Sequence, residues 1–169
     1  IRKIIQGATS ILLRENGNNP YLIHEELQKN MQYNVGIIRT KKEIENGIKE
    51  IDVLKSKFKD VKAPGSSQFN PGWHEALALR NLLISAESVA KSALIREESR
   101  GAHTREDFPS EREEWIKYNI INKKGKDGKM ETAKILRTNP DKELKRIAHS
   151  KLNELEKEVK IDHDKLKVS

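Results

Sequence analysis

Between Arg96 and Asp107 the chain crowds three guanidinium groups, one imidazole and four carboxylates into twelve residues. A guanidinium grips a carboxylate through two parallel N–H bonds, so such a cluster has two possible uses. In the first, Arg100, His103 and Arg105 hold an anion such as a dicarboxylate. In the second, Arg96, Glu98, Arg100, His103, Arg105 and Asp107 pair with one another and with a facing domain. They would then also satisfy the backbone carbonyls that every helix end leaves without partners.

No other stretch offers comparable chemistry. The five histidines, His24, His74, His103, His149 and His163, include no pair at i, i+3 or i, i+4, and there is no cysteine to complete a zinc set. Asp162-His163-Asp164 could touch a metal, but near the end of the chain it reads as a solvated tail. Neither G-x-G-x-x-G nor G-x-x-x-x-G-K-[ST] occurs, so no phosphate-cradling loop is present. The sequence therefore assigns no catalytic, cofactor-binding or metal-ligating residue.

The net charge of +7 is concentrated. Residues 1–122 hold 19 basic and 17 acidic side chains, residues 123–146 hold 9 and 4, and residues 147–169 hold 5 and 5. A basic patch from Lys123 to Arg146 would attract phosphate, and a helical module binding nucleic acid is the alternative reading it supports. No aromatic side chain interleaves the patch as a stacking platform would. A Lys-rich, solvated loop and helix start is the plainer interpretation. The absence of cysteine excludes disulfides and thiolate chemistry, and is compatible with a reducing compartment. No apolar run is long enough to span a membrane. The opening Ile1-Arg2-Lys3-Ile4-Ile5 lacks a starting Met and is not built like a signal peptide, so a fragment of something longer is expected.

The elements that must position the cluster can be read from periodicity and capping. Ile4, Ile5, Ala8, Ile11 and Leu12 predict a helix over residues 1–14. Asn19-Pro20 and Asn70-Pro71 each offer an N-cap followed by proline at the first helical position. Thr40-Lys41-Lys42-Glu43 is a capping box, opening a helix to about residue 60 with Ile44, Ile48, Ile51 and Phe58 on one face. Trp73–Glu98 is apolar over a wide arc and should lie at the centre of a bundle, with Gly101 as the left-handed residue past its end. The period then changes. Residues 115–121 and 130–136 alternate as strands around Asp127-Gly128, and Asn139-Pro140 starts a last helix with Leu144, Ile147, Lys151, Leu155 and Val159 in line. The expected fold is mainly α: an antiparallel three-helix bundle, spectrin-repeat-like, over residues 1–110. A small β-hairpin and a C-terminal helix form an extension over 111–169.

The segment Arg96-Glu97-Glu98-Ser99-Arg100-Gly101-Ala102-His103-Thr104-Arg105-Glu106-Asp107-Phe108-Pro109 resembles the R-x-E-S-R-G-A-H-x-R-x-D-x-P stretch of succinate dehydrogenase and fumarate reductase flavoproteins. L-aspartate oxidases carry a looser version. Arg14–Tyr21, Glu26-Leu27-Gln28, Asn34–Arg39 and Phe69–His74 resemble that family in the same order. The similarity runs from residue 14 to 136. It implies a parent enzyme that interconverts succinate and fumarate by hydride transfer to and from FAD, with electrons passing to an iron–sulfur subunit and a quinone. It also implies that the FAD-binding glycine motif, the flavin-linking histidine and the proton-donating arginine lie in upstream domains, so none is carried onto this chain. Its partners would be the FAD-binding domain of the same protein and the iron–sulfur subunit. The membrane would be reached only through partner subunits, at the inner face of the cell membrane on the cytoplasmic side. The Arg100–Pro109 turn would face the flavin domain.

Overall fold

The computed structural model describes residues 2–158. The first helix, α1, spans Arg2–Thr9, shorter than the expected 1–14. The Thr9 hydroxyl donates to the Ile5 carbonyl at 2.9 Å and Ser10 Oγ to that of Gly7 at 3.0 Å, bonds that compete with the helical ladder. The chain then turns through Ser10–Leu13. This lets the Ile11 carbonyl accept from the Ala63 amide at 3.1 Å and puts Ile11 in the core.

Three long helices follow, each opened by the signal expected for it. In α2 (Pro20–Asn34), Asn19 accepts from the Tyr21 amide at 2.9 Å and Pro20 takes the first turn. At the start of α3 (Lys41–Lys59), Thr40 accepts from the Glu43 amide at 3.3 Å and Glu43 accepts from the Thr40 amide at 2.7 Å. In α4 (Pro71–Ile95), Asn70 accepts from the Trp73 amide at 2.9 Å. The antiparallel bundle closes on Ile23 and Leu27 of α2, Ile44, Ile51 and Leu54 of α3, and Ala76, Leu79, Leu83, Ala86 and Ala90 of α4. Each such buried large aliphatic side chain contributes about 1.5–3 kcal/mol. At Gly47 a Cβ would meet Val35 Cγ2 at 2.8 Å, so glycine is what lets α2 and α3 close there. Asn30 fastens the same spot by donating to the Gly47 carbonyl at 2.9 Å. The apolar arc of α4 is only partly covered, for Leu82, Ile84 and Val89 remain exposed.

Between α2 and α3 lies β1 (Ile38–Arg39), and after α4 comes β2 (Thr104–Arg105). They form a two-residue parallel ladder with Arg39 opposite Arg105, which the sequence did not foretell. Helix α4 stops at Ile95 rather than at Glu98. Gly101 has φ +60°, but it sits in a tight turn where the Arg100 and His103 backbones bond to each other, not behind the helix end. A 3₁₀ turn over Glu113–Lys117 then buries Trp115, so β3 (Tyr118–Lys124) starts three residues later than expected. It pairs antiparallel with β4 (Met130–Leu136) around Gly128, at φ +81°. The hairpin rests on α4. Asn122 Nδ2 reaches Ser88 Oγ and Ser92 Oγ at 2.8 Å each, and Lys91 Nζ donates to the Met130 carbonyl at 3.0 Å.

By its contacts the chain divides into two compact units, Ile1–Leu136, which holds the bundle and the hairpin, and Arg137–Ser169. In the second unit the single expected helix is two. Helix α5 (Lys142–His149) is capped by Asp141, not Asn139, and α6 spans Leu152–Glu158. Ser150 Oγ donates to the Arg146 carbonyl at 2.9 Å where the helix breaks. Val159 and Asp162-His163-Asp164 lie outside the described residues.

Candidate functional site

The charged elbow after α4 is built around two side chains with no solvent exposure, Glu98 and Arg105. Arg105 uses all three nitrogens of its guanidinium. Nε and Nη2 grip the two Asp107 oxygens at 2.7 Å each, and Nη1 faces the carbonyls of Ala93, Leu94 and Arg96 at 2.9–3.2 Å. The Ala93 and Leu94 carbonyls are among those α4 leaves without amide partners, so Arg105 caps the helix from outside it. The guanidinium also lies 5.0 Å from the Phe108 ring centroid. Asp107 in turn accepts from the Lys41 amide at 3.0 Å, at the positive end of α3. The Arg105 hydrogen bonds, opposed by burial and aided by the Lys41 amide, hold the Asp107 carboxyl at about 2.

Glu98 is the other centre. It accepts from Arg96 Nη2 at 2.7 Å, from Arg100 Nη2 at 3.1 Å and from the Arg112 amide at 3.0 Å. Burial pushes its carboxyl up, but Arg100, the Arg112 amide and Arg96 together outweigh that and bring it to about 2. Ser99 Oγ donates to the Phe108 carbonyl at 2.8 Å and accepts from the Arg105 amide at 2.8 Å. His103 Nε2 lies 3.0 Å from the Arg96 carbonyl, and burial lowers its pKa.

All six residues singled out from the sequence are therefore brought together, but at different depths. Arg105 and Glu98 are wholly internal, Arg96, Arg100 and His103 are half-buried, and Asp107 lies at the rim. Arg100, His103 and Arg105 do not converge on a common anion pocket, because Arg100 is turned to Glu98 and Glu111 and Arg105 to Asp107. The arrangement can lock a loop against two helices, and it presents no nucleophile–base pair.

Sequence reasoning missed two residues beside the elbow. Arg39 is 8% exposed, and among the described residues its side chain bonds only to the Val35 carbonyl, at 3.3 Å through Nη1, while its Nε has no partner. Trp115 is likewise buried with its indole N–H unbonded. Nothing local in the sequence marks either one. Arg39 follows two isoleucines with no acid in helical register before it, and Trp115 sits in a segment that reads as a strand.

The basic stretch offers no comparable construction. Lys123 pairs with Glu131 at 3.3 Å, Lys134 stacks over the Trp115 ring at 3.8 Å from its centroid, and Arg146 pairs with Glu143 at 2.8 Å. Among the described residues no group of three metal-ligating side chains converges, and no helix is long and apolar enough to cross a membrane.

The family described as "Fumarate reductase flavoprotein C-term" matches this chain over residues 24–164. The chain belongs to that family. It is 42% identical over 113 residues to a fumarate reductase (CoM/CoB) subunit of Methanothermobacter marburgensis, a match covering 67% of this chain and 21% of the relative. It is 38% identical over 105 residues to the succinate dehydrogenase flavoprotein subunit of Rickettsia conorii, covering 60% and 18%. In three dimensions it superposes on a chain of the Mycobacterium smegmatis Sdh1 complex in the apo form with a TM-score of 0.79 and 34% identity, over 92% of this chain and 27% of that one. The chain thus spans about a fifth of the length of the curated relatives it matches.

A flavin dinucleotide needs a glycine-rich turn or a helix N-terminus with free amides for its pyrophosphate. Here the three long helices have theirs capped by Asn19, Thr40 and Asn70, and Asp107 takes the Lys41 amide besides. Among the described residues these helix starts do not offer that pyrophosphate a site.

Proposed function

We propose that this C-terminal domain is a structural and docking body of a succinate dehydrogenase/fumarate reductase type flavoprotein, with no active site of its own. The parent reaction is the interconversion of succinate and fumarate. FAD is held by the flavin-binding domain of the same protein, and electrons pass to an iron–sulfur subunit. The membrane is reached only through partner subunits, on the cytoplasmic side at the inner face.

The observation that carries this reading is the contrast between the elbow and the surface beside it. The elbow's charges are satisfied internally, so it is rigid before any partner arrives, which lowers the entropic cost of association. Directly alongside, Tyr33, Ile37 and Ile38 are 78%, 66% and 64% exposed. Large apolar side chains clustered next to a rigid, charged rim mark an interaction surface.

Two measurements test it. The purified chain should show no flavin absorbance and no succinate–dye reductase activity. In the intact parent flavoprotein, Ile37→Glu and Ile38→Glu should lower the temperature of flavin release while leaving the melting of the isolated chain unchanged. Yellow colour in the isolated chain, or equal melting losses in both settings, would overturn the reading.

A further inference from the structure

Arg39, Arg96, His103, Trp115 and Tyr118 line a cleft of roughly 450 Å³ between the elbow, α4 and the start of the hairpin. Val89, Ala93 and Ile120 give it apolar walls, and no carboxylate lines it. Two donors buried beside this cleft have no acceptor among the described residues, Arg39 Nε and Trp115 Nε1. Among the described residues Arg39 makes no ion pair at all, and its partner across the β-ladder is Arg105, another cation. A guanidinium does not escape this cost by losing its proton. Water can accept a hydrogen bond but brings no charge to offset a buried cation.

The geometry points to a carboxylate in this cleft, supplied by an acidic side chain of the flavin-binding part of the parent protein. This rests on the docking reading given above. Arg39 leaves unpaired its Nε–Nη2 edge, the same edge with which Arg105 grips Asp107 at 2.7 Å and 2.7 Å. That edge matches the spacing of two carboxylate oxygens. The Trp115 indole N–H adds a single neutral donor, enough for one further lone pair. The apolar walls suit a methylene stem entering with the carboxylate at its tip. Arg39 follows the exposed Ile37 and Ile38, and Ile37 lines a surface hollow together with it, so a partner covering Ile37 lies beside the Arg39 side chain.

The protein carries its own control. Trp73 Nε1 already donates to the Ala8 carbonyl at 2.8 Å, so of the two indole N–H signals only that of Trp115 should respond to an added acceptor. With sodium acetate titrated against sodium chloride at constant ionic strength, the Trp115 indole resonance should move to saturation. The Trp73 resonance should stay in place, and Arg39→Met should abolish the response. An equal response to chloride, an unchanged response in Arg39→Met, or a larger one to inorganic phosphate at equal concentration would overturn the assignment. In the intact parent flavoprotein, Arg39→Met should lower the temperature of flavin release by several degrees without destabilising the isolated chain. If Ile38→Glu has that effect and Arg39→Met does not, docking stands and the carboxylate is refuted. If neither has it, the docking reading falls along with the proposed source of the carboxylate, and the acetate response alone then decides whether the cleft takes one.

Discussion

Arg39 and Arg105 face each other in one two-residue ladder, both buried, both cationic, yet their surroundings are opposite. Every nitrogen of the Arg105 guanidinium is directed at an acceptor of the same chain, and its charge is neutralised by Asp107 two residues on. The Arg39 side chain has one long bond to a carbonyl and no counter-charge among the described residues, and both burial and the Arg105 charge depress its pKa. The difference separates two uses of a buried guanidinium. Compensated within the chain, it ties a loop to two helices and contributes to the fold. Left uncompensated, it opposes the fold, and its charge is available to something outside the chain.

The largest effect should come from Arg105→Met. It strips Asp107 of its partner and leaves the Ala93 and Leu94 carbonyls at the end of α4 unanswered, so unfolding in urea should show a loss of about 3–5 kcal/mol. Asp107→Asn should cost somewhat less, roughly 2–4 kcal/mol, because it makes Arg105 resemble Arg39 while keeping the shape of the side chain. A loss no larger than that of an ordinary surface substitution would break the comparison.

Acid should reveal the same compensation. Glu98 and Asp107 have ordinary values of 4.5 and 3.8 but are held at about 2 in the fold. Over that interval the unfolded chain binds more protons than the folded one. Their stabilisation is therefore complete above about pH 5 and is lost as pH falls towards 2. Glu98→Gln should flatten that acid limb, besides lowering stability near neutrality by about 2–3 kcal/mol, as read from melting temperature against pH. Arg39→Met should have the smallest effect on the isolated chain, within about 1 kcal/mol of zero or stabilising. A large destabilisation there would show that Arg39 supports the fold after all.

Much of the scaffold is legible in the sequence because its signals are local. Asn19, Thr40 with Glu43, and Asn70 act on amides two or three residues away, and the structure has all three caps. The hairpin turn at Asp127-Gly128 is local in the same sense, with Lys129 donating to Asp127 at 2.9 Å. Ends are less legible. Residue pattern alone carries α4 on to Glu98, because nothing in its own residues says that Arg105 will take its last carbonyls. It likewise carries the final helix through Ser150, because the apolar spacing continues there. At the elbow the residue types are plain but the pairing is not. The possible pairings of the nearby charges are chemically alike on paper, since any guanidinium suits any carboxylate.

Helix propensity, caps and turn residues, all acting over a few positions, therefore set where the elements begin, and the order of several charged and aromatic motifs identified the family. Which charges would meet was decided only when β1 came alongside β2, bringing Arg39 against the distant Arg105, and when the hairpin settled on α4. Burial and Coulomb energy depend on distances in space, and these exist only once the chain has packed.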